Sequence, residues 1–113
     1  NDLLALARQD DRNQWFDFGG DATLVPGDAG NGLRSTGNSG VQYLTIPGSG
    51  FVMGDTVLVH QAGGAQVQFV PESGVILQYR AVYDPRTADE NSLATLRYQG
   101  EDQWLLSGDL EAA

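Results

Sequence analysis

The sequence predicts an all-β protein, a small antiparallel β-sandwich or flattened barrel with a short N-terminal arm, helical or extended. Three observations predict it. Glycine supplies 15 of the 113 residues and recurs between short β-prone runs in which Leu and Val dominate the apolar set, as in a turn-rich β chain. Runs such as 41–46 and 66–70 place their residues alternately on two faces, the period of a strand. And 113 residues suit one domain with a modest core, filled by one layer pair or a barrel. Residues 1–13 are expected to form an anchoring arm and residues 14–113 the β-rich body.

Taken in order, Asp2 can cap a short helix carrying Leu3, Leu4 and Leu6 ahead of the charged Arg8, Asp10, Asp11 and Arg12. So short a helix is unstable alone in water, and its leucines need a covering surface, on this domain or, the preferred alternative, on a neighbouring chain. Residues 14–18 (QWFDF) start the body, and at least two of Trp15, Phe16 and Phe18 are expected in the core. Turns dominate 19–40, around two short runs at 23–25 and 33–36. The strand at 41–46 ends at Pro47 and turns Leu44 and Ile46 inward, on the same face as Gln42.

The chain is organised around residues 54–77, where Val57 to Val59 and the alternating run 66–70 flank the small-residue turn QAGGA. Gly63 and Gly64 accept positive φ, so this stretch reads as a hairpin with Val57, Val59, Val67 and Phe69 in the core. A third run follows at 75–79. The excursion DPRTADENS is too polar to be buried and is expected as a loop. Residues 93–99 and 103–107 form a closing hairpin, and 108–113 an acidic tail.

Fifteen acidic residues against six basic ones, all arginine, give a net charge of -9, which argues against a nucleic-acid groove. There is no cysteine, hence no disulfide or thiolate site. No apolar run approaches a membrane span, and the start of the chain lacks the basic flank and length of a signal peptide, so assembly in a cytoplasm is expected.

The residues specify no reaction. His60, the only histidine, falls within a strand with no Ser or Asp placed by a motif to complete a triad. The adjacent acids Asp10–Asp11, Asp89–Glu90 and Glu101–Asp102 point apart on strands or into water in turns, unlike converging glycosidase carboxylates. Asp17, Asp21, Asp28 and Asn31 offer oxygen ligands in a Gly-rich loop, but their spacing matches no calcium motif, and turn formation accounts for them. No cofactor is expected. Gln42, Gln61, Gln66, Gln68, Gln78, Gln99 and Gln103 read as polar strand faces which, with Tyr43, Tyr79, Tyr83 or Tyr98, suit sugar hydroxyls and sugar faces. Subunit association competes with that reading, because packing three or more copies would cover strand edges and enlarge a small core.

Over about residues 21–110 the chain resembles the small β-rich domain of tailed-bacteriophage virion appendage proteins, of tail fibre and head fibre type. The resemblance is carried by an apolar-Pro step at 44–47, a GDxVxVxQ segment with its VxF continuation at 54–69, and G-V-x-apolar at 74–77. An Arg connection at Arg80 or Arg86, S-x-A-T-L at 92–96, and W-x-L-x-G-D-L at 104–110 complete it. Here the second glycine of the turn is displaced by one residue and the excursion is longer.

The resemblance implies a non-enzymatic virion structural protein, a component of a head- or tail-attached spike or fibre that supports host-surface binding. The alternatives are a capsid decoration protein and a carbohydrate-binding adhesin module. Expected partners are other virion structural proteins, identical copies (a trimer favoured) and a host-surface polysaccharide, with no nucleic acid and no membrane. Leu3, Leu4 and Leu6 are the expected partner anchor, and Asp84, Arg86, Asp89 and Asn91 the candidate recognition loop.

Overall fold

Alternating apolar residues and closely spaced glycines give eleven strands along residues 14–113, the part of the chain described by the computed structural model. The arm with Leu3, Leu4 and Leu6 lies outside the described residues. The strands are β1 (Trp15–Phe18), β2 (Ala22–Thr23), β3 (Gly32–Ser35), β4 (Val41–Ile46), β5 (Thr56–Gln61) and β6 (Gln66–Pro71). They continue with β7 (Ile76–Gln78), β8 (Tyr83–Thr87), β9 (Leu93–Gly100), β10 (Gln103–Gly108) and β11 (Leu110–Ala112). A 3₁₀ turn at Pro26–Asp28 is the one helical element among the described residues.

The strands form a six-stranded sheet, in the order β1-β3-β5-β9-β10-β7, packed on a five-stranded sheet, β11-β8-β6-β4-β2. The all-β, two-layer expectation therefore holds. The pairing is mixed rather than antiparallel. From β1 to β8 the chain enters the two sheets alternately, so strands two apart in sequence become neighbours: β1, β3 and β5 pair in parallel, as do β2, β4 and β6. Each parallel connection passes through a strand of the opposite sheet, which supplies the long crossover that parallel pairing requires. Antiparallel pairing enters with β9, against β5 and β10, and with β8, against β6 and β11.

The expected hairpin over residues 54–77 is not formed. β5 and β6 lie in different sheets, and QAGGA is an arch between them. This arch stacks on the preceding one, between β3 and β4: Ala62 and Gly63 donate backbone hydrogen bonds to Ser35 O, and Ala65 donates to Gly37 O. Gly63 is required by this approach, since a Cβ there would sit 2.1 Å from Gly37 O. The core pattern is unaffected, because alternation sets which face a residue takes and not which strand it pairs with. Val57, Val59, Val67 and Phe69 are buried together with Leu44 and Ile46.

The core has three zones. Its centre is aliphatic. At one end Phe51, Tyr98 and Trp104 pack edge-to-face or tilted, at centroid distances of 4.8–6.5 Å, and Trp104 Nε1 donates to Pro47 O at 2.9 Å. At the arch end the interior is polar and links the sheets. Thr87 Oγ1 donates to Gln61 Oε1 at 2.6 Å and accepts from Val67 N at 2.8 Å, while Gln61 Nε2 donates to Gly63 O at 3.1 Å. Ser35 Oγ donates to Gln42 Oε1 in the same zone. Gln42 and Gln61, read from sequence as exposed, are buried because each sits where the chain bends between layers.

Three further expectations are corrected. Trp15 and Phe16 are 45% and 40% exposed, because β1 is the outer edge of the wider sheet; only Phe18 packs against the core. The excursion at 84–92 is half strand: β8 is internal to its sheet and Thr87 is buried, since the polar groups find partners in neighbouring strands. The acidic tail contains β11, with Leu110 buried. The closing hairpin forms as expected, with Glu101 and Asp102 at φ 53° and 59° in its turn.

Thr87→Val keeps the shape of the side chain but leaves the Val67 N–H and Gln61 Oε1 without a buried partner, so it is expected to lower stability by about 1–3 kcal/mol. Urea unfolding will read this as a lower midpoint at an unchanged slope. Asp28 supplies a pH test. Its carboxylate is buried and accepts from Val25 N at 2.9 Å; burial pushes its pKa above the ordinary range, partly offset by that hydrogen bond. A raised folded pKa means the folded state binds the proton more tightly. The contribution is fully present below the ordinary value of about 3.9 and is lost as pH rises through the raised value. Asp28→Asn keeps an oxygen acceptor and removes the buried charge, so its stability relative to the parent should be greater at pH 7 than at pH 3.

Candidate functional site

The pleat sends every second residue of the six-stranded sheet away from the core, and cross-strand register sorts these into rows. One row runs Trp15, Gly32, Leu58, Thr95 and Ser107; the next runs Asp17, Arg34, His60 and Leu93; a third runs Thr56, Arg97, Leu105 and Gln78. On this face Trp15, Leu58, Leu93, Leu105 and Ile76 expose 38–53% of their surface. Gly32 makes the first row possible: the Trp15 ring lies over it, and a Cβ there would come within 2.5 Å of the indole. Trp15 also meets His60 edge-on, at 5.9 Å between ring centroids. Beside the indole runs a groove of ≈ 380 Å³ lined by Gln14, Asn31, Thr56, Leu58 and Thr95. On the same face Arg97 stands in the third row, and Arg34 holds Asp17 through two hydrogen bonds at 2.8 and 3.0 Å. That contact keeps the Asp17 carboxyl below its ordinary pKa and raises Arg34.

A second groove, of ≈ 590 Å³, opens where the edge strand β7 approaches β8 and β11. Gln78, Tyr79, Tyr83 and Asp84 line it, with Leu77, Ala81 and Ala113. The turn from β7 to β8 is closed by Tyr83 N donating to Arg80 O at 3.0 Å. The Arg80 guanidinium sits 5.6 Å from the Tyr83 ring centroid.

The four residues of the expected recognition loop do not converge. Asp84 lines the second groove. Arg86, two residues on, ties neighbouring strands together, since its Nε donates to Gln68 Oε1 at 2.8 Å and its Nη1 lies 3.1 Å from Glu111. Asp89 and Asn91 lie beyond the far end of β8, about 10 Å along the strand from Asp84. There Asp89 shapes a turn with Ser92, and Asn91, at φ 70°, donates its N–H to Gln61 O at 2.6 Å. Asn91 Oδ1 is 3.2 Å from His60 Nε2. Leu3, Leu4 and Leu6 are outside the described residues.

The loop acids weighed as calcium ligands are drawn apart to separate backbone and ion-pair partners. Asp17 binds Arg34, Asp21 accepts from Tyr43 N, Asp28 accepts from Val25 N, and Asn31 Oδ1 accepts from Gln14 N. Among the described residues no three His, Cys, Asp or Glu side chains gather as a metal-binding group. Sequence reasoning missed the exposed face around Trp15, although the period-two pattern already placed Leu58 opposite Val57 and Val59. No family model matches the chain, and no curated protein gives a significant match.

The left-handed conformation of Asn91 favours Gly or Asn over other residues. Asn91→Ala is expected to cost about 1–2 kcal/mol in chemical denaturation, and Asn91→Gly distinctly less.

Proposed function

We propose that this chain is a non-enzymatic structural component of a bacteriophage or phage-like particle, the β-rich body of a head- or tail-attached spike or fibre. The observation that carries the reading is the outer face of the six-stranded sheet, where Trp15, Leu58, Leu93, Leu105 and Ile76 are exposed together. Five large apolar side chains exposed on one sheet face, interspersed with polar ones, suit burial against another subunit, whose interfaces mix apolar anchors with polar groups. The occupant we favour is a second copy of this chain, within a trimer. The arm bearing Leu3, Leu4 and Leu6 then attaches the assembly to the particle.

The order of the resembling motifs supports this reading, because their apolar positions coincide with the buried positions of β5, β6, β9 and β10. The double variant Leu58→Glu/Leu105→Glu replaces two exposed side chains, so circular dichroism and the urea midpoint should stay within about 1 kcal/mol of the parent. Light scattering should show the parent as an oligomer and the variant as a monomer; a monomeric parent at assembly concentrations would remove the proposed copy–copy face. Counting copies in purified particles then separates a spike or fibre, with few copies, from a capsid decoration protein, with many.

A further inference from the structure

We infer that the groove between β7 and β8 is a subsite for a neutral saccharide unit, with Tyr79 as its stacking platform and Asp84 as its hydroxyl acceptor. This deepens the display role proposed above, and its biological use rests on that reading. The groove lies at the opposite edge of the six-stranded sheet from Trp15, and two tyrosines, a glutamine and an aspartate meet along it.

Each group has the chemistry that a sugar ring requires. The pyranose presents a face of C–H bonds, which packs on an aromatic ring, and an equator of hydroxyls that must keep their hydrogen bonds when water leaves. Tyr79 is 38% exposed and offers ring surface. Asp84 accepts from hydroxyls in charge-assisted bonds, and the Gln78 amide both donates and accepts. Tyr83 is held in place before any ligand arrives, by the hydrogen-bonded turn from Arg80, the guanidinium beside its ring, and its pairing with Ala112. Such preorganisation lowers the ordering cost of weak binding.

Charge selects among sugars. At the groove the Asp84 carboxylate is set against the Arg80 guanidinium beside Tyr83, and the net charge of -9 over the whole protein then disfavours uronic, sialylated or sulfated units and favours neutral ones. The groove volume, ≈ 590 Å³, exceeds that of one hexose, so a unit within a longer glycan fits as well as a free sugar.

The test uses the full ¹⁵N-labelled chain, with glucose, galactose and N-acetylglucosamine as neutral probes and glucuronate as the anionic probe. At least one neutral sugar should shift the amide resonances of Gln78, Tyr79, Tyr83 and Asp84, saturating at millimolar concentration. Tyr79→Ala should abolish the shifts, and Asp84→Asn, a near-isosteric change, should weaken them about tenfold. The dispersion of each variant's spectrum reports that it is folded. No shift with any neutral probe up to about 50 mM, shifts indifferent to both variants, or glucuronate binding as well as the neutral sugars would each overturn the inference. Light scattering on the same samples reports assembly separately, so loss of sugar binding and loss of the particle role are distinguishable.

Discussion

Two sheets wound from one alternating chain must be held in register where the chain crosses between them, and here Gln61 and Thr87 hold it. The Gln61 side chain, from the six-stranded sheet, accepts the Thr87 hydroxyl, from the five-stranded sheet, while Thr87 in turn accepts the Val67 N–H. All of this occurs in full burial, where an unmade hydrogen bond costs far more than it does in water. A shift of one layer relative to the other would strand several polar groups at once. Apolar contacts between the sheets carry no such directional penalty, so this polar seam sets relative position while Leu44, Val59, Val67 and Phe69 supply the burial.

The stacked arches follow from the same constraint. The parallel pairs of β3 with β5 and of β4 with β6 are joined where the short arch at 62–65 lies on the one at 36–40, and Gly63 against Gly37 O sets the closest approach. The opposite end has a different design, with an aromatic cluster pinned by the Trp104 indole N–H on Pro47 O. Having both ends fastened leaves the outer faces and edges free to vary without loss of the core. The Trp15 face and the Tyr79 groove occupy such positions.

The two surfaces have different chemistry. The sheet face around Trp15 and Leu58 sets exposed apolar side chains among Thr95, His60 and the Asp17–Arg34 ion pair, a mixture that suits a protein neighbour. The groove at Tyr79 and Asp84 mixes rings with hydrogen-bonding groups, which suits a hydroxyl-rich ligand. Copy–copy packing through one and recognition through the other is the division of labour that the proposed function calls for.

Much of the core was legible in the residues. Period-two alternation placed Leu44, Ile46, Val57, Val59, Val67 and Phe69 inside, and the turn around Glu101 and Asp102 joined β9 to β10 as expected. Partner choice was not legible, because the same alternation and the same glycines serve a hairpin or an arch; only the approach of Gly63 to the preceding arch decides between them. The polar interior was illegible for a related reason. Gln42, Gln61 and Thr87 read as solvent-facing until the fold supplies each with a buried partner. Of the expected recognition residues, Asp84 alone lines the Tyr79 groove, since the pairing of β8 turns Arg86 to Glu111 and carries Asn91 to the far end. By itself, then, the sequence determined the class of fold, the aliphatic residues that leave water and the acidic balance of the chain, all of which depend on local pattern and composition. The tertiary structure alone decided which strands pair, which polar groups are buried and which aromatics stand exposed, because those outcomes depend on residues distant in the chain.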